Sequence, residues 1–485
     1  MLSQAGLERD AAGLIRWRRD SSDHPRNWTL GRKLFSVSVI ILLELFTTII
    51  STTGAAVAHT VGPRYNLENI RALVAFVSMY QIGQAIGGYL IPPLSELTGR
   101  WLPYFISSLV FSIFCIVIPL GSSAAAIHVG RFVTGFASAV PSVVIAGSIE
   151  DLFNAKHRVW AVIVWNASTT VALCLGPIYA ALVIDSSGWE WVFYSAGIGT
   201  LVLCAALLGV KETRPSVVLS RKIELLRTTT NIVDLRWANA DPVQSRKAFA
   251  YIVLIRPMYI LLTEPLVILI AIISGVSWSI IYLFTDSIIQ IYGSMGFTRT
   301  QSSLVFLSIA VGVLLTLLPR FPELQKLQHR AQDQPVEPEA KLRAFAYAAP
   351  ALTVGLIWFA WTIPPVTHPH WIVPTLSLVP IGFAVNETAY TLSGFLADSY
   401  TLYSASVFSG LAFARATISG TMPLVAHVMY SRLNPNIAAS ILAGISALFC
   451  LLAVVFVRHS KTLRKRSPFA GYSSDMHQRT QIEVD

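Results

Sequence analysis

The sequence predicts an all-α membrane protein with twelve transmembrane helices in two six-helix halves. Hydrophobic residues make up 54% of the 485 residues and charged residues only 13%, whereas soluble domains carry about 25% charged residues. The mean hydropathy of +0.60 agrees with this class. Because a helix needs about 20 apolar residues to cross the hydrocarbon core, a chain of this length has room for a dozen spans.

Twelve apolar runs define the predicted spans, and each has roughly the length that crosses a bilayer. The first run carries an acidic residue, Glu44, and the eighth is short. The predicted ranges are 34–58, 72–94, 103–120, 125–148, 159–184, 190–210, 262–291, 301–319, 344–363, 371–396, 402–427 and 435–457.

A charged stretch without an apolar run divides these spans six and six. The sequence therefore predicts an amino-terminal tail at 1–33, a first bundle at 34–210, a linker at 211–261, a second bundle at 262–457 and a tail at 458–485. An even division by a hydrophilic linker is typical of secondary transporters, in which the substrate site lies near the midplane between two similar halves.

Basic residues predict the orientation of the spans. The tails and the loops after spans two, four, six and eight hold 30 of the 36 Lys and Arg residues, while the opposite side has only Arg64, Arg71, Arg299 and Arg432. The positive-inside rule then places both termini in the cytoplasm. Because the bases lie between apolar runs, the net charge of +10 indicates an anionic membrane surface and not a nucleic acid. We expect a monomer in the plasma membrane.

Four ionisable side chains inside predicted spans are candidate functional groups, because each costs about 2.5 to 3.5 kcal/mol to insert. Glu44, Arg131, Asp286 and Glu387 lie on spans one, four, seven and ten. If the halves correspond, these spans line one central cavity with three acids and one arginine. The acids are candidates for the proton carrier and for the anchor of a cationic or polar substrate group. The alternatives are head-group water around Asp286 and a structural bond for Glu44.

Aromatic and amide side chains extend this predicted pathway. Trp278 and Tyr282 share a helical face with Asp286, and Asn386 and Tyr390 flank Glu387. Aromatic rings in a cavity can stack on a flat or cationic ligand. No His, Glu or Asp cluster has metal-ligand spacing and no Gly-x-x-x-x-Gly-Lys-Ser/Thr occurs. The sequence therefore predicts no metal, cofactor or ATP, and a proton gradient as the energy source.

A short charged turn between spans two and three is the next candidate. Glu96 and Arg100 lie four residues apart, with Gly99 allowing the chain to reverse. We expect this turn to bind its neighbours through charge-assisted hydrogen bonds. The alternative is an ordinary polar turn at a membrane surface.

These strings, in their order and spacing, resemble the major facilitator superfamily and, within it, the fungal twelve-span drug:proton antiporters. The resemblance covers nearly the whole chain. It rests on the turn Pro93–Arg100, Arg131-Phe-Val-Thr-Gly135 with Gly147–Asp151 in span four, Gly176-Pro177 in span five, Gly188–Phe193, Lys211–Pro215, Thr263–Pro265, Tyr282–Asp286, Phe395–Tyr400 and Arg415.

The resemblance implies a role for several of these residues. Glu96, Gly99 and Arg100 would form a cytoplasmic charge network with Asp151 that holds the outward-open state until protonation or cargo loosens it. Arg131 would support proton coupling, and Gly176 and Pro177 would bend span five and limit leakage in an exporter.

We therefore expect a proton-coupled transporter that exports a small amphipathic compound, such as a drug, toxin or secondary metabolite, by alternating access. A proton symporter importing a vitamin or polyamine is the alternative within transport. A non-transporting membrane receptor with the same fold predicts binding without flux, and the acids on three cavity spans disfavour it. The absence of a nucleophile motif disfavours an enzyme.

Overall fold

The computed structural model describes residues 5–9, 13–65, 67–230, 237, 246–320, 322, 339, 341–367 and 369–472. Twelve long helices in this part of the chain overlap the twelve predicted spans. They are α1 (Leu30–Thr52), α2 (Asn69–Thr98), α3 (Trp101–Val117), α4 (Ala124–Leu152), α5 (Ala155–Ser187), α6 (Glu190–Ala206), α7 (Pro265–Ser294), α8 (Arg299–Leu315), α9 (Leu342–Thr362), α10 (Ile372–Ser399), α11 (Ser404–Arg432) and α12 (Pro435–Arg466).

Ten helices in the described ranges are both long enough and apolar enough to cross a membrane, and α8 and α11 complete the set. The helix α8 is shorter, as its sequence predicts, and α11 carries Arg415 within its apolar run. Parts of the predicted linker, of the loop after span eight and of both tails lie outside the described residues. The chain is therefore a multi-pass, all-α membrane protein.

Most helices extend beyond the apolar runs that predict them. The helix α1 continues past Thr53 as a second segment, Gly54–Val61. The helix α2 contains a π-helical turn at Val74–Ser78. We call the side of the bundle where α1 begins and α12 ends the terminal face, and the opposite side the far face. The loops α2–α3, α4–α5 and α8–α9 lie at the terminal face because the helices alternate in direction.

Glycines allow α2 and α4 to pack backbone against backbone. A Cβ atom built on Gly83 would lie 2.1 Å from the carbonyl oxygen of Phe132, and one built on Gly135 would lie 1.9 Å from that of Tyr80. Such small-residue contacts are the usual basis of close helix packing in membranes.

The same contact recurs between α8 and α10. A Cβ atom on Gly312 would lie 2.0 Å from the carbonyl oxygen of Val379, and one on Gly382 would lie 2.1 Å from that of Ile309. The two predicted six-helix bundles thus use corresponding helices in the same way, although the sequence shows no obvious repeat.

The first six helices and the last six meet along two seams, α2 against α11 and α5 against α8. At the first seam, the Ser78 hydroxyl donates a hydrogen bond of 2.8 Å to the carbonyl oxygen of Gly420. Gly420 is required there because a Cβ atom would lie 2.7 Å from the Cβ atom of Gln81. The seams enclose the centre of the bundle.

The amino-terminal tail folds against the linker. Strands β1 (Leu7–Arg9) and β2 (Ile15–Trp17) form an antiparallel hairpin. The hairpin packs on a linker helix, Pro215–Thr230, through a separate hydrophobic cluster of Leu7, Ile15, Leu219 and Ile223. The Trp17 indole donates a hydrogen bond of 3.3 Å to the carbonyl oxygen of Pro215.

Substitution of Gly83 by alanine is expected to destabilise the protein by about 1 to 3 kcal/mol, because the added methyl group overpacks the α2–α4 contact. The matched control is Gly444→Ala, since nothing lies within 4 Å of a Cβ atom at Gly444. Thermal unfolding in detergent, followed by size-exclusion chromatography, measures both. A Gly83→Ala protein as stable as the Gly444→Ala protein contradicts the proposed packing.

Candidate functional site

A small polar cavity of about 20 Å³ lies at the centre of the bundle, between the first six helices and the last six. A cavity of this size holds about one water molecule. Its walls come from α1, α2, α4, α5, α7 and α11. The lining residues are Glu44, Thr48, Gln81, Gln84, Ser142, Thr169, Leu173, Trp278, Tyr282, Arg415, Ala416 and Ser419.

Two opposite charges face this cavity. Glu44 is on α1 and is 2% exposed, and the Trp165 indole on α5 donates a hydrogen bond to its Oε2 atom. Arg415 is on α11, and its guanidinium carbon lies 4.7 Å from the centre of the Trp278 ring. Within the described residues, neither Glu44 nor Arg415 forms an ion pair. The acid and the base therefore share a cavity without direct contact.

Other polar groups in the wall also lack partners. The Nε2 atom of Gln81 and the hydroxyl oxygen of Ser419 are buried and have no hydrogen-bond partner in the described part of the chain. Tyr282, by contrast, closes the wall by a hydrogen bond of 2.8 Å to Ser51, which joins α7 to α1. The cavity thus has hydrogen-bonding capacity that the protein leaves unused.

Of the eight residues predicted for the pathway, three line the cavity: Glu44, Trp278 and Tyr282. Arg131, Asp286, Asn386, Glu387 and Tyr390 do not line it. In this structure the cavity is lined from spans one, four and seven among the four predicted, and Glu44 is the one predicted acid among its lining residues. Helical spacing shows which residues share a face, but not which helices meet at that face.

Asp286 lies near the far face and binds another helix. Its Oδ1 atom is 2.5 Å from the Nε2 atom of His59, and Gln290 donates a hydrogen bond of 3.1 Å to its Oδ2 atom. The residue is 2% exposed, so the alternative of head-group water does not apply. The pair joins α7 to the second segment of α1.

The predicted residues of α10 form a second polar cluster. Glu387 makes a buried ion pair with Arg320, whose guanidinium carbon lies 4.0 Å from the centre of the Tyr390 ring. Asn386 accepts hydrogen bonds of 2.8 Å from Asn166 and Thr170 of α5. These contacts use the polar face of α10 for packing against α5 and α8.

Arg131 is fully buried behind the cavity wall. Its Nε atom donates a hydrogen bond of 2.8 Å to the carbonyl oxygen of Phe76, in the π-helical turn of α2. Its guanidinium carbon lies 4.5 Å from the centre of the Tyr80 ring. Backbone and aromatic partners, and no described carboxylate, therefore hold this charge.

Arg415 is the main cavity residue that the sequence analysis did not propose as a site. It was noted only as part of a family string, although it is the one basic residue within the predicted span 402–427. The cost of inserting a charge applies to it as it does to Arg131. A search of every span, and not only of corresponding spans, would have found it.

The charge network at the terminal face combines predicted and unpredicted residues. Arg100 donates from Nε to Asp151 over 2.8 Å, and both side chains are buried. Burial lowers the pKa of Arg100 and the Asp151 carboxylate raises it, with a net upward direction, so the guanidinium stays charged. The backbone N–H groups of Arg100 and Trp101 donate to the carboxylate of Glu212, over 2.9 and 3.1 Å.

Two further features shape this network. Gly99 has a φ of +97°, a conformation that favours glycine. Glu96, which the resemblance assigned to the network, makes no hydrogen bond or ion pair with the described residues. The carboxylate that binds the backbone of the turn is that of Glu212. An equivalent ion pair of 2.7 Å joins Lys341, before α9, to Asp398, near the end of α10.

Gly176 and Pro177 join α5 closely to α1. A Cβ atom on Gly176 would lie 1.9 Å from the Thr52 hydroxyl oxygen. Pro177 has no N–H group, so the carbonyl oxygen of Leu173, four residues earlier, loses its helical partner. The Thr52 hydroxyl donates to that oxygen over 3.1 Å, which satisfies the group that the proline leaves free.

The two sets of six helices touch on both sides of the cavity. At the far face, Arg299 donates to Thr60 over 2.9 Å, and Thr300 donates to Asp185 over 2.5 Å. On the terminal side, the Tyr89 hydroxyl donates to the carbonyl oxygen of Leu254. The cavity therefore lies between contacts near both faces. Among the described residues, no group of three or more His, Cys, Asp or Glu could hold a metal ion.

Comparison with known proteins gives consistent matches over most of the chain. The sequence profile described as Major Facilitator Superfamily matches residues 34–422. The MFS-type transporter penM of Penicillium rubens is 27% identical over 96% of this chain and 93% of its own length. The Major facilitator superfamily multidrug transporter FLU1 of Candida albicans is 27% identical over 93% of this chain and 75% of its own.

Solved structures agree at the level of the fold. The proton:xylose symporter XylE, bound to 6-bromo-6-deoxy-D-glucose, superposes with a TM-score of 0.65 at 13% identity, and covers 89% of this chain and 97% of its own. An identity this low shows a shared fold and no more.

Substitution of Gly147 by alanine is expected to weaken the Arg100–Asp151 pair, since the new Cβ atom would lie 2.2 Å from a guanidinium nitrogen of Arg100. Asp151→Asn should cost about 3 to 5 kcal/mol by leaving a buried arginine unpaired. The double variant should lose less stability than the sum of the single variants, because both act on one pair.

Thermal unfolding in detergent measures this coupling. The control is Glu190→Gln, which breaks an exposed ion pair with Arg64 and should cost less than about 1 kcal/mol. Strict additivity of Gly147→Ala and Asp151→Asn contradicts the interpretation.

Proposed function

Since the chain belongs to the Major Facilitator Superfamily, we propose that it is a proton-coupled secondary transporter that exports a small amphipathic organic compound. The observation that supports this most is the central cavity, which is lined by residues of both sets of six helices. Alternating access requires a site between two bundles that is open to one side at a time.

Glu44 is the proposed proton carrier. It lines the cavity, it is buried, and no ion pair with a described residue holds it in the charged form. Its charge therefore depends on cargo, water and Arg415, which is the condition under which proton and cargo binding become linked. Asp286 and Glu387 are less suited, because His59 and Arg320 already bind them.

Arg131 and the terminal charge network have proposed supporting roles. Arg131 ties the π-helical turn of α2 to α4, and its guanidinium lies against the Tyr80 ring. The Arg100–Asp151 pair ties the α2–α3 turn to the end of α4. Both sets of bonds hold the first six helices as one body, which rocking against the last six requires.

The relatives and α5 support the proposed direction of transport. The names of the Candida albicans and Floropilus chiversii relatives describe a multidrug transporter and an efflux pump. The close α1–α5 contact at Gly176 and Pro177 limits the space through which protons would leak. We therefore propose export of a drug-like toxin or secondary metabolite across the plasma membrane by a monomer.

The proposed topology places both termini, and so the terminal face, in the cytoplasm. The support is the distribution of charge, because 30 of the 36 Lys and Arg residues belong to the tails and to loops on that side. The far face, with the His59–Asp286 pair, would then face the outside.

Glu44→Gln is expected to reduce export driven by a pH gradient to the level measured without a gradient, because the amide cannot exchange a proton. The measurement is efflux of a labelled compound to which the chain confers resistance in a pump-deficient yeast host. The control is Glu68→Gln, which changes a side chain that is 80% exposed. Normal proton dependence in the Glu44→Gln protein contradicts the assignment.

Glu387→Gln separates this role from a structural one. It leaves Arg320 buried without its carboxylate, so the variant should lose about 3 to 5 kcal/mol of stability. Glu44→Gln should fold normally because Glu44 has no described ion pair to lose.

Inside-out vesicles distinguish export from import. An antiporter accumulates the labelled compound when the vesicle lumen is acidic, because protons leaving the lumen drive cargo inward. A proton symporter expels cargo under the same gradient. Accumulation only with an alkaline lumen contradicts export.

A further inference from the structure

We infer that the cargo is a molecule of zero net charge, neutral or zwitterionic, with a hydrogen-bond acceptor for Arg415 and a donor for Glu44. This inference rests on the proposed function and specifies its substrate class. It follows from the number and sign of the charges in the cavity wall, and from the polar atoms there that have no partner.

The charge count is the first step. Glu44 and Arg415 are the charged residues among the described residues that line the cavity. They come from opposite sets of six helices, so closing the cavity brings them to one chamber. When Glu44 is ionised, the two charges sum to zero. The other ionised candidates do not change this count, because Asp286 and Glu387 are paired elsewhere.

Arg131 also leaves the count unchanged. It does not line the cavity, and its guanidinium binds the carbonyl oxygen of Phe76 against the ring of Tyr80. The chamber that encloses the cargo therefore holds one negative and one positive group.

The second step is the cost of enclosing a net charge. Moving an unpaired charge from water into a closed cavity of low polarity is strongly unfavourable, whereas a polar group with a hydrogen-bond partner is tolerated. A cation would bind Glu44 but leave Arg415 uncompensated, and an anion would do the reverse. A molecule with an acceptor at one end and a donor at the other satisfies both groups without adding net charge.

The remaining wall atoms fit such a molecule. The Nε2 atom of Gln81 and the hydroxyl of Ser419 have no described partner, and both bind neutral polar groups. The Trp278 ring lies against the guanidinium of Arg415 and lines the cavity. The cavity of this structure holds about one water molecule, so a flat apolar body with polar groups on its edge would meet these wall atoms once the halves move apart.

The third step links the cargo to the proton. Protonation of Glu44 removes an acceptor and leaves the chamber with the uncompensated charge of Arg415. A neutral cargo then loses one partner and gains an unfavourable environment, so protonation favours its release. Cargo and proton therefore alternate on Glu44, which is the exchange that export requires.

Four indole compounds of different charge test the inference on one scaffold. N-acetyltryptophanamide is neutral, tryptophan is zwitterionic, N-acetyltryptophan is an anion and tryptamine is a cation. Binding to the purified full-length chain in nanodiscs is measured by the shift in its melting temperature and by competition with the labelled resistance compound. The first two are expected to bind about tenfold more tightly than the last two.

Substitutions of Arg415 and Glu44 should change the order of the four affinities in opposite directions. Arg415→Gln leaves a negative chamber and should raise the affinity of tryptamine relative to N-acetyltryptophanamide by about tenfold. Glu44→Gln leaves a positive chamber and should favour N-acetyltryptophan. The double variant should again prefer the uncharged compound. The control is Arg432→Gln, which removes an exposed charge at the end of the same helix and should keep the wild-type order.

Equal affinities of all four compounds, no binding by any of them, or the same order in all variants overturns the inference. Melting temperatures of the variants without ligand separate a loss of folding from a change of preference. Because binding is measured without a gradient, the expected order without proton-driven flux in vesicles contradicts the proposed transport function and not the charge rule.

Discussion

The membrane interior tolerates an ionised side chain only where a partner or water compensates its charge, and this constraint organises the structure. Asp286 meets His59, Glu387 meets Arg320, and Arg131 meets backbone carbonyl groups and aromatic rings. Glu264, beside α7, receives a hydrogen bond of 3.0 Å from Tyr400. Glu44 is held by the Trp165 indole and Arg415 by the Trp278 ring, and neither forms an ion pair with a described residue. Because Glu44 and Arg415 do not pair with each other, a ligand in the cavity can bind both.

Close packing makes each half rigid, so that the two halves can move as units around the cavity. The glycines of α2 and α4, and those of α8 and α10, bring backbones into contact that side chains would keep apart. Ion pairs at the terminal face, Arg100–Asp151 and Lys341–Asp398, then fix the ends of the same helices. The contacts between the halves are fewer, and they include the Ser51–Tyr282 bond beside the cavity as well as bonds near the far face. A division into strong contacts within each half and lighter contacts between them is what a rocking mechanism needs.

The sequence predicts the helices well and their neighbours poorly. Apolar length located all twelve helices, because the hydrocarbon thickness fixes how many apolar residues a span needs. The cost of burying charge selected Glu44, which is buried and lines the central cavity. It did not predict that the polar face of α10 packs against α5 and α8, or that Glu212 binds the turn after α2. Those partners lie between 67 and 220 residues away in the chain, and no local pattern encodes them.

The hairpin at the amino terminus has a practical meaning for work on this protein. Leu7 and Ile15 cover Leu219 and Ile223 of the linker helix, so the hairpin shields an apolar surface of that helix from water. A truncated protein that begins at the first membrane helix would expose that surface to water and tend to aggregate. A fluorescent tag or affinity handle therefore belongs at the other end.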